Sequence, residues 1–386
     1  MQTDDVIELA RRLIAIDSVN PTLVPGAAGE GEIAGFLSAW AAEHGLATRL
    51  IPSPDGRPNL VIGEPGAIGG DRLRAGGNGR TLMLYGHMDT VGAGSMEAPF
   101  APRVEGDRLY GRGAYDQKAG LAAALVAVRE AARAGIPGTI GLAVSDEEAA
   151  STGIREVLRH VTADAAVITE PTEMQLAIAH RGFAWIEVEV RGKAAHGSRP
   201  HLGVDAIFRT GHVITALERY NGSLAARTHP LLGAGLLHAS RIEGGGEMAT
   251  VPDRCLLSVE RRTLPGETPD AVLAEVEAVL DECRVADPAL SVSARLVLAR
   301  DPFEIAADNA FVTLARAATG RATGALPDLV GLSFWADSAY TAEAGIPTVL
   351  LGPPGEGAHA DEEWASVSGT VACARALVEI ARDYCG

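Results

Sequence analysis

Two imidazoles, His87 and His359, and five carboxylates, Asp89, Asp116, Glu147, Glu148 and Glu170, stand where apolar runs break into Gly-rich or acidic sequence. An imidazole followed two residues later by a carboxylate, as in GHMDTV, can be a metal ligand with its orienting neighbour, or a strand-end histidine that caps backbone. Asp116 can equally be the N-cap of the helix that follows it. Glu147 and Glu148, adjacent in SDEEAAS, would repel each other if buried unless cations or a shared proton offset the charge; alternatively they are solvated residues in the first turn of a helix. Together, His87, Asp116, Glu148, Glu170 and His359 suit two divalent ions, each with one histidine and one terminal carboxylate and with the third carboxylate bridging. No cysteine lies among them. Two metals about 3.5–4 Å apart can polarise a carbonyl and hold a hydroxide made from bridging water. Glu147 is then left beside the ions as a general base.

The elements that would carry these residues alternate. Leu82–Tyr85 is a continuous apolar run, read as a buried strand covered on both faces, with His87 just past its carboxyl end. Further strands are predicted at 47–51, 59–63, 139–144, 165–169 and 348–351, ending near Glu147, Glu170 and His359. Helices are predicted at 3–16, 30–44, 118–134, 309–319 and 370–384, the third rich in alanine and glycine and so able to lie close against a sheet. Such a mostly parallel sheet gathers its strand ends along one edge, where ligands bind. The Glu64–Arg80 stretch is Gly-rich and polar, with no phosphate-loop signature.

Between about Arg181 and Val297 the pattern changes. Ala184–Val190 alternates apolar and charged residues, as a half-exposed antiparallel strand does. A helix at 204–220, Gly-rich sequence, a strand at 255–260, a helix at 268–283 and a strand at 290–298 follow. We read the order as strand, helix, strand, strand, helix, strand, a ferredoxin-like insertion. The expected division is 1–180 and 298–386 for the first domain and 181–297 for the inserted one.

Composition narrows the partners. The 386 residues carry 33 Lys and Arg against 50 Asp and Glu, a net charge of −17. No basic block could neutralise phosphates, which argues against nucleic acid and against an anionic membrane surface. The N-terminus opens acidic and has no signal-peptide core, so a cytoplasmic protein is expected. Cys255, Cys283, Cys373 and Cys385 form no CxxC pair and suit reduced structural thiols. His44, His160, His201, His212, His229 and His238 are expected to be surface or helix residues, with His180 near the hinge, and Trp335 to be packing. Asp337 either supports the site or caps a turn.

GHMDTV, GRGAYDQKAG, SDEEAAS, ITEPT and GAHADEEW, in that order, resemble the motifs of the M20 metallopeptidases and amidohydrolases, most closely the acetylornithine deacetylase and succinyl-diaminopimelate desuccinylase branch. AAHGSRP and ERRTLPGE resemble motifs of that family's inserted lid. The resemblance covers essentially the whole chain. It implies an α/β di-zinc catalytic domain with a ferredoxin-like lid, and two Zn2+ per chain, with Co2+ or Mn2+ as substitutes. His87 and Glu170 would hold one ion, Glu148 and His359 the other, and Asp116 would bridge. Asp89 would orient His87, Glu147 would be the acid/base, His196 would stabilise the oxyanion, and Arg262 would meet a substrate carboxylate. The implied reaction is hydrolysis of a small N-acyl amino acid by a di-zinc-activated hydroxide, with an exopeptidase or dipeptidase as the nearest alternative and a non-catalytic metal-dependent binding protein as a remote one. A homodimer formed through the lid is also implied. Two departures from the pattern are Ala249, where many members have asparagine, and Gln117, directly after Asp116.

Overall fold

The computed structural model describes residues 3–68 and 79–386. Most of the Gly-rich connection read at Glu64–Arg80 therefore lies outside the described residues. The chain forms two compact units, one comprising Met1–Ile178, Ile305–Val330 and Ala336–Gly386, the other Ala179–Glu304 and Gly331–Trp335.

In the first unit the spatial strand order is Ala47–Pro52, Pro58–Gly63, Thr139–Val144, Leu82–His87, Ala165–Ile168, Thr348–Leu350 and then Leu176–His180. The four central strands from Thr139–Val144 to Thr348–Leu350 run parallel. The flanking pairs are antiparallel. Every residue of Leu82–His87 and of Thr139–Val144 is buried, which is why these runs are continuously apolar and do not alternate. Register aligns their ends: His87 lies opposite Val144, and Tyr85 opposite Ile168. The residues that follow those positions, Ser145–Glu148 and Thr169–Glu170, thus emerge along one edge.

The Ala119–Arg133 helix packs on this sheet with a buried face of alanine, leucine and valine. Its small residues permit a close approach. A Cβ on Gly120 would come within 2.2 Å of the Thr169 carbonyl oxygen, and one on Gly86 within 2.9 Å of Leu121 Cβ. The helix starts at Ala119 with Lys118 at its N-cap, two residues later than a capping role for Asp116 would need. A separate turn at Ala114–Lys118 precedes it, in which Asp116 has non-helical φ −117° and ψ 93°.

The second unit is a four-stranded antiparallel sheet in the order Leu236–Gly244, Arg254–Thr263, Gly182–Arg191, Ser291–Arg300. With the helices Ala206–Ser223 and Pro269–Ala286, its chain order is the expected strand, helix, strand, strand, helix, strand. Gly182–Arg191 alternates in burial along its length, and Ile186, Val188 and Val190 pack with Val213, Leu217, Val272, Val276 and Leu280 from the helices. Asp205 and Thr268 cap the two helices by accepting from the Phe208 and Ala271 amides. The unit is wider than the span 181–297, because its last strand continues to Arg300 through an irregularity between Leu296 and Leu298. Leu236–Gly244 is the strand that sequence reading left without a position. It lies on an edge, mostly exposed, and its polar residues and flanking glycines hide its extended character.

Candidate metal centre

His87 is the last residue of its strand and its side chain is fully buried. Its Nδ1 lies 2.9 Å from the Asp89 main-chain oxygen, so that nitrogen carries the proton and donates to the carbonyl. The Asp89 carboxylate is farther, at 3.6 Å, beyond hydrogen-bond range. The group that orients the ring is therefore the backbone of Asp89 and not its side chain. Nε2 then faces Asp116 Oδ1 at 3.2 Å and Glu170 Oε1 at 4.0 Å; with no ion the short contact is an Nε2–H donated to the Asp116 carboxylate, and a bound cation would take the place of that proton. Three lone-pair-bearing atoms that converge in a buried place call for a cation or a proton among them.

The Asp89 carboxylate has a different task. Oδ1 accepts from the Glu147 amide at 3.1 Å, and Oδ2 accepts from the Glu148 amide at 3.2 Å and from Asn20 Nδ2 at 2.8 Å. It thereby fixes the start of the segment that carries the adjacent glutamates. That segment turns sharply, with Asp146 at φ +67°. Asp146 accepts from Arg57 Nη1 at 2.6 Å and from Thr152 Oγ1 at 2.7 Å, and Arg57 in turn is paired with the buried Glu30. The following helix, Thr152–Val157, begins well after the glutamate pair, so Glu147 and Glu148 are not residues of its first turn.

Ligand atoms of His87, Asp116 and Glu148 lie within 4.8 Å of one another, and so do those of His87, Glu147 and Glu170. His359, at the tip of a loop with φ +63°, brings Nε2 to 3.0 Å from Glu148 Oε2 and 3.4 Å from Asp116 Oδ2. Asp116 thus has one oxygen towards each histidine, the arrangement a bridging carboxylate requires. Gln117, buried behind it, donates to Glu170 Oε1 and receives a hydrogen bond from Thr169 Oγ1 at 3.2 Å. Glu147 stands beside His87 and Glu170, close enough to be counted with the ligands.

The electrostatics have the signature of a site built for cations. Burial, reinforced by Asp116, pushes Glu148 up to about 7. Burial first and then mutual carboxylate repulsion raise Glu147 and Glu170 well above the ordinary range, opposed by His87. Burial would also raise Asp116, but hydrogen bonds from His359 and His87 outweigh it and hold its carboxyl below the usual range. Hydrogen bonding to Asp116 and Glu148 lifts His359 to about 10. Glu148 Oε1 is buried with no hydrogen-bond partner. A divalent ion would satisfy that oxygen and remove the repulsion, so the donor set fits a metal.

Asp337 does not cap its turn. It accepts from the Tyr85 hydroxyl, its side chain makes no cap hydrogen bond, and burial pushes it up to about 6. His180 is buried, 5.4 Å from the Phe303 ring and 6.1 Å from that of Trp335. In the second unit, His196 is exposed in a two-residue strand paired with Thr250 and Val251. Arg262 donates from Nε to Glu260, which also accepts from Trp185 Nε1 at 2.8 Å. The Arg57, Glu30 and Asn20 supports beneath Asp146 and Asp89 were invisible in sequence, since no local spacing marks partners up to 126 residues apart.

The model of Peptidase family M20/M25/M40 matches residues 83–383. The chain belongs to this family. Among its relatives, the acetylornithine deacetylase of Myxococcus xanthus is 31% identical over 321 residues, covering 80% of this chain and 82% of the relative. That of Photorhabdus laumondii is 26% identical over 379 residues, covering 94% and 92%. Similar solved structures include the aminopeptidase PepT of Bacillus cereus, with TM-score 0.78, 21% identity and full coverage of both chains. A dinuclear metal-binding M20 peptidase from Bacillus subtilis has TM-score 0.74 and 16% identity, covering 99% of this chain and 98% of that one. The M20 chain is accordingly a metallopeptidase or amidohydrolase, with a candidate metal site at its sheet edge. Among the described residues no helix is long and apolar enough to cross a membrane.

Proposed function

We propose that this M20 enzyme is a di-zinc amidohydrolase that removes the acyl group from an N-acyl amino acid. The observation that carries the reading is the convergence of His87, Asp116, Glu148, Glu170 and His359, with buried like charges that a pair of cations would reconcile. His87 and Glu170 would hold one ion and Glu148 and His359 the other, with Asp116 between them. Zinc bound there supplies Lewis acidity towards an amide carbonyl and lowers the pKa of water. Glu147, made more basic by burial and by Glu170, would take a proton from the attacking water and pass it to the departing amine.

His196 serves as the oxyanion donor in this reading. The Ser198 amide donates to its Nδ1 at 3.2 Å, so the neutral ring carries its proton on Nε2 and has that N–H to offer. Arg262, with Nε taken by Glu260, would grip a substrate carboxylate through its Nη pair. The enzyme would act as a homodimer through the second unit. The exposed edge strand Leu236–Gly244, with Ile242 at 52% exposure, and Phe208 of the Ala206–Ser223 helix at 77%, support a second copy as the partner. A cytoplasmic setting and a substrate that bears a carboxylate complete the proposal.

Deacylation is favoured over peptidase action by the relatives at 26–32% identity, whose names are acetylornithine deacetylase. Turnover of the zinc-loaded enzyme on N-acetyl, N-succinyl and N-formyl amino acids beside a set of dipeptides tests it. Release of the carboxylic acid from an N-acyl amino acid is the expected result. Cleavage of dipeptides with no N-acyl amino acid accepted would replace the deacylase reading by a dipeptidase one.

A further inference from the structure

Glu363 is buried to 2% exposure, four residues past His359, and its carboxylate accepts four hydrogen bonds. Oε2 takes Arg112 Nη1 at 2.8 Å and the Gly113 amide at 2.9 Å. Oε1 takes the Tyr115 amide at 2.9 Å and the Asp116 amide at 3.0 Å. Residues 113–116 are thus wrapped around one anion, and the last of the wrapped amides belongs to the residue whose side chain lies between the two histidines. Arg112, itself buried to 1% exposure, sends its other arm, Nη2, to the Ala360 carbonyl oxygen at 2.8 Å. The Gly111 amide returns to the Glu363 carbonyl at 3.2 Å. The segment that carries Asp116 and the loop that carries His359 are therefore tied twice, once through Glu363 and once through Arg112.

We infer that Glu363 and Arg112 form a positioning clip that sets the Asp116 carboxylate against His359 before any ion arrives, and so fixes the affinity of one of the two metal positions. The inference rests on the metal reading above. His359 sits at positive φ on an exposed loop, with its side chain 53% accessible and held by Glu148 and Asp116; the loop is fixed by the clip, by Asp361, which accepts from Ser95, and by the pairing of Trp364–Ser366 with Arg108–Tyr110. His87, by contrast, ends a buried strand and is held by the Asp89 carbonyl. Loss of the clip should consequently weaken most the ion shared by Glu148, Asp116 and His359, which loses the placing of two ligands, and less the one at His87 and Glu170, which shares only the bridging Asp116. Glu363→Gln is the discriminating change, because an amide NH2 would face two donors in place of an acceptor oxygen. Neither Glu363 nor Arg112 need touch substrate.

The test uses the full chain, stripped of metal and titrated with Co2+, with bound metal counted after dialysis and the visible spectrum followed. Wild type should take two ions. E363Q should bind one ion about 10–100-fold more weakly, the usual effect of removing a group that holds a ligand in place, and lose clearly less at the other, which shares only Asp116. H359A, which deletes a ligand, should weaken the same step. L377A, which removes a buried side chain of the Val367–Cys385 helix, controls for stability and should bind both ions normally. R112K provides a second route should E363Q fail to fold, because an ammonium cannot span Glu363 and the Ala360 carbonyl together; it should weaken the same ion. Cobalt bound equally by wild type, E363Q and R112K would overturn the clip alone. Equal losses in E363Q and L377A would overturn it as well, since general loosening would then suffice. A wild-type chain that takes up no cobalt would overturn the metal reading and the clip with it.

Discussion

Replacing Asp89 by asparagine separates two roles that a carboxylate beside a ligand histidine can have. The structure assigns its side chain to the Glu147 and Glu148 amides and to Asn20, and assigns the His87 contact to its main-chain carbonyl. In Asp89→Asn the oxygen retained on one side can still serve Asn20 and the Glu148 amide, while the new NH2 meets the Glu147 amide donor to donor. A buried donor left unsatisfied costs about 1–3 kcal/mol, and the loss of charge from the two remaining hydrogen bonds adds about 1 kcal/mol, so local destabilisation should be about 2–4 kcal/mol. At about 1.4 kcal/mol per decade this is roughly a 30- to 700-fold loss of amide protection at 147–148, if exchange there is governed by local opening. Hydrogen exchange of the metal-free protein, read on peptides that cover 144–149, measures it without interference from bound ions. The His87 Nδ1–H, seen by NMR, should persist because its acceptor is untouched. Unchanged protection at 147–148 together with loss of that ring proton would refute the division of roles and restore the side chain as the orienting group.

The adjacent glutamates should behave differently: Glu147→Gln should keep metal content near wild type and slow turnover about a hundredfold or more, whereas Glu148→Ala should lower metal occupancy, as counted by elemental analysis. Exchange of these phenotypes would reverse the assignment, and loss of metal in both would place Glu147 among the ligands with His87 and Glu170. Arg262→Lys should raise KM for carboxylate substrates despite retained charge, and equal kinetics on an acid and its amide would remove Arg262 from recognition. Mixing inactive His196→Ala with inactive Glu147→Ala should restore activity after subunit exchange if His196 completes the partner's site, since a mixed dimer then has one intact centre; no recovery despite proven exchange would confine His196 to its own chain or to no role. Burial pushes the Cys373 thiol up to about 12, so at pH 8 a thiol reagent should reach Cys283 first and Cys373 only after denaturation.

The parts of the molecule legible in sequence are those whose signal is local. Leu82–His87 and Thr139–Val144 are buried on both faces and read as largely apolar runs, and the parallel register sets His87 opposite Val144, so that Ser145 and the acidic residues after it emerge beside the histidine. Leu236–Gly244 carries no such signal, because an exposed edge strand need not show hydrophobic periodicity. The histidines and carboxylates of the candidate centre stood out because acidic residues at strand ends are conspicuous in any chain. Their supports did not. Arg57 meets Asp146 across 89 residues, and Arg112 meets Glu363 across 251, contacts made by tertiary folding that no spacing rule anticipates. Asp89 shows a subtler limit, since sequence can place a carboxylate near a histidine but cannot tell which of its oxygens, main-chain or side-chain, faces the ring.

The central claim is that the carboxylates at this sheet edge, with the buried His87 and the exposed His359, serve to hold two divalent ions for amide hydrolysis. Stripping the purified enzyme with a strong chelator and titrating zinc back, while following hydrolysis of an N-acyl amino acid, tests it directly. Activity should vanish on stripping and return with a break near two ions per chain. Full activity in protein that contains no divalent metal would contradict the claim.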